Sequence, residues 1–224
     1  MAFRKNLAIL VLAAGLITGI AAIRFALAPK PDVLLRIGQV PVTRPEYMVY
    51  LYQQAETFER VGGPDIWDTD FNGEASEDIA KRNALNSLQL VKISVQKARE
   101  QGIALEPEDV AEAAESARQA YGDFPASFIE INSITPEIMN AVMEDNRLFA
   151  RLYDHITRDY AISEDEFQAY AAEQSAEEED WDALRERYAD EKKREFFHRS
   201  YEQWATDVQT NVQEEEWLKI SVRE

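Results

Sequence analysis

The chain has 224 residues, 42 of them acidic and 24 basic, and carries a formal charge of −18 at neutral pH. So acidic a surface opposes a nucleic-acid or anionic-lipid partner and favours solubility. The absence of cysteine excludes disulfides and a thiol-linked lipid anchor, so the fold is held by packing alone.

Arg4 and Lys5 precede an uncharged run from Leu7 to Ile23, and only Arg24 interrupts its continuation to Ala28. Some 22 helical residues rise roughly 33 Å, enough to cross the hydrocarbon layer if Arg24 snorkels to the interface. Two readings stand for residues 1–30. In the first they are a single uncleaved membrane helix with its basic end inside and the main domain extracytoplasmic. In the second Ala26-Leu27-Ala28 is a cleavage box and the product is secreted or periplasmic, although Pro29 directly after the cut would hinder processing. In both, residues 31–224 are exported, and we expect them to form one composite helical domain.

That domain opens with a short β element. Val33 to Ile37 and Val40 to Val42 read as strands joined at Gly38, and Thr43 with Glu46 three residues later forms a capping box, with Pro45 in the first helical turn. The helix from Arg44 to Arg60 places Tyr47, Tyr50, Leu51, Gln54 and Phe58 on one face. A loop from Gly62 leads to Ser76, expected to cap a second helix that runs to Gln101 with Ala84, Leu88, Val91, Val95 and Ala98 on one stripe. Gly102 is placed to close it in the left-handed conformation. Pro107 opens a third helix, with Val110, Ala114, Ala117 and Tyr121 expected inward and Gly122 at its stop.

The segments RIGQVPVTRPEY and IWDTDFNGEASEDIAKRNALNSLQLVKISVQKAREQGIALEPEDV resemble the N-terminal chaperone domain of the SurA and PrsA family of extracytoplasmic foldases. The likeness lies in order: a strand-turn-strand entry, a Trp-Asp loop, a long helix ending Ala-x-x-x-Gly-Ile, and an acidic helix start. ITPEIMNAVMEDNRLFARLYDHITRDYAISEDEF is similar to the family's next helix. The resemblance implies a mainly α, multi-helix chaperone domain. Isomerising members insert a glycine-rich parvulin domain next, but this chain has no glycine after Gly122 and only two histidines, His155 and His198. Trp181, Leu184, Tyr188, Phe197, Tyr201, Trp204 and Val208 keep helical spacing instead. A strand within Val208 to Val212 is expected to pair with Val33 to Val42, and Trp217 to Val222 to follow as a turn.

Three clusters invite a chemical reading. Asp68, Asp70, Asn72 and Gly73 match the start of a calcium loop, but its twelfth position is Ile79 rather than a bidentate glutamate, so the stretch reads as a capped loop ending in an Asn-Gly turn. His155 and His198 each lack a second histidine or cysteine at ligand spacing. Glu177, Glu178, Glu179, Asp180 and Asp182 read as the solvated start of a helix, where negative charge is favoured. No nucleophile elbow, phosphate loop or dinucleotide fingerprint occurs. We therefore expect no catalytic residues, metal or cofactor.

Aromatic residues are numerous, and most belong to packed faces. Tyr50, Phe58, Phe149 and Tyr153 are the candidates for the wall of a client-binding cleft. The resemblance and the missing isomerase imply a membrane-anchored holdase that binds unfolded or newly exported polypeptides without nucleotide. The alternatives are a dedicated interaction subunit of a membrane-associated foldase or secretion complex, as a homodimer or with a foldase partner, and a degenerate isomerase.

Overall fold

A computed structural model of the protein describes residues 33–173 and 181–222. The expected membrane segment at 1–30 and the carboxylates Glu177, Glu178, Glu179 and Asp180 lie outside the described residues. Among the described residues no helix is long and apolar enough to cross a membrane.

Strands β1 (Val33–Ile37) and β2 (Val40–Thr43) form the entry hairpin, and β5 (Thr210–Val212) adds to the other side of β1. Both pairings are antiparallel, with Leu35 opposite Val42 and also opposite Val212. The expected pairing of the C-terminal strand with the entry strand is thus present, across more than 170 residues of sequence. Two further bonds extend it, from Gly38 N–H to the Gln209 carbonyl and from Gln213 N–H to the Leu34 carbonyl, each 2.9 Å. An irregularity of register between Val33 and Leu35 explains why the consecutive residues Leu34 and Leu35 are both buried, since a bulge breaks the strict two-residue alternation. Pro41 sits on the edge strand, where its missing donor costs no ladder bond.

Helix α1 (Arg44–Gly62) begins with the Thr43 hydroxyl accepting the Glu46 N–H at 3.4 Å. Only half of the expected capping box governs this start, because the Glu46 carboxylate turns to Lys92. The run Tyr47 to Leu51 is buried without interruption. Sheet, α2 and α5 therefore surround the first half of α1, and the expected single apolar face applies only further along.

A 3-10 helix (Pro64–Asp68) and a tight hairpin of β3 (Asp70–Phe71) and β4 (Glu74–Ala75) lead to α2 (Ser76–Glu100). Ser76 is the first residue of α2, with Ala75 at the cap position. Its buried hydroxyl faces the Ile66 and Thr69 carbonyls, each 2.6 Å away, and ties down the loop rather than capping the helix. The whole predicted stripe of α2 is buried. Gly102 has φ +73°, with its N–H bonded to the Arg99 carbonyl and the Ile103 N–H to the Ala98 carbonyl. This pair of bonds is the Schellman closure that the glycine makes inexpensive.

Helix α3 (Pro107–Asp123) runs through Gly122, contrary to expectation; Pro125 forces Phe124 into an extended conformation and stops the helix. The short α4 (Ala126–Ile131) delivers Phe128 beside Phe124 and Tyr52, and α5 (Pro136–Thr157) starts under the Thr135 hydroxyl, which accepts the Ile138 N–H at 3.3 Å. Helices α6 (Glu164–Glu173) and α7 (Trp181–Ala205) follow, and a short α8 (Glu214–Trp217) comes after β5. The second half of α7 packs through Phe197 into the core built by the sheet, α1, α2 and α5, whereas its first half joins α6 in a separate apolar cluster.

Candidate functional site

The α3–α5 pair is organised by one buried carboxylate. Asp109 is 1 % exposed and its carboxylate accepts the Glu106 backbone N–H at 2.8 Å, closing a capping box with Glu106 as the cap. Arg147 and Arg151, one turn apart on α5, reach its two oxygens at 2.8 and 2.5 Å. The hydrogen bond from Arg151, against the opposing cost of burial, together with the Glu106 amide and Arg147, holds the Asp109 pKa down at about 2. Such an anion must face its arginines, and this sets the rotation of α3. Asp109, Ala113 and Ala117 consequently point inward, while Val110 is 42 % exposed and Ala114 is exposed. The expected inward stripe of Val110, Ala114, Ala117 and Tyr121 is corrected accordingly: it turns by about one residue, and only Ala117 is shared.

The displaced stripe borders a groove of about 450 Å³ between α3 and the start of α5, lined by Ala114, Ala117, Arg118, Tyr121, Pro136 and Glu137. Arg118 is paired with Glu115 on its own helix. The Glu137 carboxyl is kept below its usual pKa by hydrogen bonds from the Thr135 hydroxyl and its own backbone amide. Asn140 donates its amide to Glu144 at 2.7 Å.

The four sequence candidates do not form one wall. Tyr50 is 4 % exposed, with its hydroxyl 3.4 Å from Asn146 Oδ1. Burial, then the nearby Glu46 and Asp145, push its phenol strongly upward, so it packs the core and lines no open surface. Phe58 stacks on Trp67, centroids 5.7 Å apart, near the end of α1. Phe149 and Tyr153 are half-buried one turn apart on α5 and share Phe197 of α7, with centroids at 5.5 and 5.3 Å. Trp204 continues this aromatic row 5.7 Å from Phe197.

The Asp-rich loop is the β3–β4 hairpin. Asn72 and Gly73 have φ +57° and +91°, the pair of left-handed residues that a two-residue turn of primed type requires. One Asp70 oxygen accepts the Gly73 N–H at 2.5 Å. His155 is exposed, and His198 lies 3.4 Å from Glu202 and stacks on Tyr201. Among the described residues, no group of three or more histidines and carboxylates is arranged to hold a metal.

Sequence reasoning missed the groove and Asp109. A signal was available in Arg147 and Arg151, spaced by one helical turn on one helix, which is the spacing that lets two cations share an anion; the anion itself lies 38 residues earlier.

No protein-family model matches the chain. It is 26 % identical over 170 residues to the foldase protein PrsA of Caldanaerobacter subterraneus subsp. tengcongensis, a match that covers 74 % of this chain and 50 % of that protein. The chain thus spans about half the length of the curated relative it matches.

Proposed function

We propose that the protein is an extracytoplasmic holdase: it binds unfolded exported polypeptides through shallow apolar surfaces and releases them by dissociation, without prolyl isomerisation. The observation that carries this reading is the likeness to a foldase over most of the helical unit. Geometry supports it through two open apolar features, the groove beside α3 and the half-buried row of Phe149, Tyr153 and Trp204 around Phe197. Shallow surfaces of this kind suit weak binding with little sequence preference, and the excess of negative charge keeps such a protein from associating with itself. Residues 1–30 would tether it to the outer face of the cytoplasmic membrane or be removed on export; membrane fractionation with N-terminal sequencing of the mature protein distinguishes the two.

The test uses the full chain in a mild non-ionic detergent. Substoichiometric to equimolar protein should slow aggregation of at least one of two unrelated unfolded clients, and no slowing of either would refute the reading. Refolding of a client limited by proline isomerisation should keep its uncatalysed rate of tens to hundreds of seconds; acceleration would reinstate an isomerase. A second reading, a dedicated subunit with one partner, is favoured by Val61 and Leu218, which are 83 % and 81 % exposed. Saturable capture of one membrane partner without any effect on aggregation would establish it in place of the holdase.

A further inference from the structure

The groove beside α3 combines three features that packing does not explain. Ala114 is exposed and lines the groove with the half-buried Tyr121 and the outer edge of Ala117, so an apolar strip of α3 stays open there. The groove wall across from it carries Pro136 and the Glu137 carboxylate. Its charged lining residues are Glu137 and Arg118, and only Glu137 is without an ion pair among the described residues. Arg118 is already paired with Glu115, and the α5 arginines are committed to Asp109 and Glu112.

The aromatic row shared by α5 and α7 has a more balanced setting on its α7 side. Over residues 181–205 that helix carries six acidic and six basic side chains, so it exerts no net preference for the charge of what it meets. The groove thus sets an apolar surface beside a carboxylate that has no ion pair among the described residues, and this selects for positive charge in what it meets.

We infer that the groove beside α3 binds segments of unfolded polypeptide in which apolar side chains are flanked by lysine or arginine. The apolar side chains lie along Ala114, Ala117 and Tyr121, and the cation meets Glu137. This rests on the holdase reading and names its substrate class: cationic, apolar segments bind at the groove, whereas acidic ones are repelled.

The experiment measures fluorescence anisotropy of three labelled peptides with one apolar centre and lysine, serine or glutamate flanks, titrated with the full chain in non-ionic detergent. The lysine peptide should bind at least about tenfold more tightly than the glutamate peptide, and 1 M salt should abolish most of the difference because the groove is open to solvent. Glu137→Lys should erase or invert the preference. Ala114→Trp, which fills the groove from an exposed helix position, should weaken the lysine peptide with little change in the circular-dichroism melting curve. Glu186→Lys on α7 makes the same charge change outside the groove and should leave the preference in place.

Equal affinity for all three peptides overturns the inference. So does a lysine preference that survives both groove substitutions, or one that Glu186→Lys abolishes equally well. Aggregation of one acidic and one basic client is followed in parallel. Equal protection of both leaves the holdase reading standing and removes the charge selection; protection of neither, with no peptide bound, removes both.

Discussion

Helix α7 belongs to two cores of very different quality. Its second half enters the main core through Phe197, where the sheet, α1, α2 and α5 enclose side chains such as Tyr47, Leu88, Met139 and Leu152 at 0 % exposure. Its first half packs with α6 in a cluster whose buried members are Phe167, Ala171, Leu184 and Tyr188. Between Tyr188 and Phe197 no residue of α7 is fully buried, and the sequence is almost wholly charged. The two halves are therefore connected by helix propensity and surface pairs such as Lys192–Glu195, which contribute little each. A continuous helix need not be a continuous unit of stability.

The polar interactions of the two regions differ in the same sense. The main core encloses Lys92 between Glu46 and Asp145, the latter at 2.6 Å. Burial by itself would lower the lysine pKa, and the two carboxylates more than offset it, so the net direction is upward. The α6–α7 cluster relies on exposed groups: Arg185 grips both oxygens of Glu164 at 2.7 and 2.8 Å and lies 4.3 Å over the Phe167 ring.

Substitution in the main core should have the largest effect. Leu88→Ala removes a fully buried side chain and should cost about 3 kcal/mol. The loss should appear as a lower urea midpoint shared by tryptophan fluorescence and circular dichroism, as expected if the main core unfolds as one. Separate transitions would mean that it does not. Lys92→Ala follows at about 3 kcal/mol or slightly less, because Glu46 and Asp145 would then share a largely buried site with only the exposed Arg99 near Asp145. Adding Glu46→Gln and Asp145→Asn should recover part of that loss, and absence of any recovery would show that the lysine matters only through its packing.

Leu184→Ala probes the smaller core. The side chain is 2 % exposed, and its truncation should cost about 2 kcal/mol locally. The prediction concerns where this appears: hydrogen exchange should accelerate in α6 and the first turns of α7, while amides of α2 and β1 keep their protection. Equal acceleration everywhere would refute the division into two units.

Much of this organisation was legible in the sequence, and the failures share a cause. The α2 stripe, its Gly102 closure, the Asn72–Gly73 turn and the returning strand were readable because each depends on local periodicity, on a backbone conformation that few residues tolerate, or on a short run of β-forming residues. Tyr50 was misplaced because helical spacing marks an apolar face but does not tell whether a helix is covered on every side. The rotation of α3 was misread for a related reason. Five of its residues from Val110 to Ala117 are alanines or valine, so apolar content barely distinguishes one face from the next, and the deciding group is charged. Asp109 outweighs the alanines because a buried carboxylate without its arginines costs more than several exposed methyl groups.

The smallest effect at neutral pH comes from changing the solution rather than the chain, and it separates the two regions by their electrostatics. The Asp109 pKa lies at about 2 in the folded protein against 3.8 for the free side chain. A depressed carboxylate stabilises the fold above its unfolded pKa, and that contribution is lost as pH falls through the folded value. The wild type should therefore lose stability between about pH 4 and pH 2, and Asp109→Asn should remove this part of the slope while lowering stability at pH 7. Glu164 is also shifted downward by its hydrogen bonds from Arg185, but this pair is exposed to solvent. Raising the salt concentration should weaken the α6–α7 contribution and leave the acid response of Asp109 nearly unchanged, because mobile ions screen an exposed pair far more than a buried one. If salt flattened both responses equally, Asp109 would have to be accessible to ions, and the rotation of α3 would need a cause other than its burial.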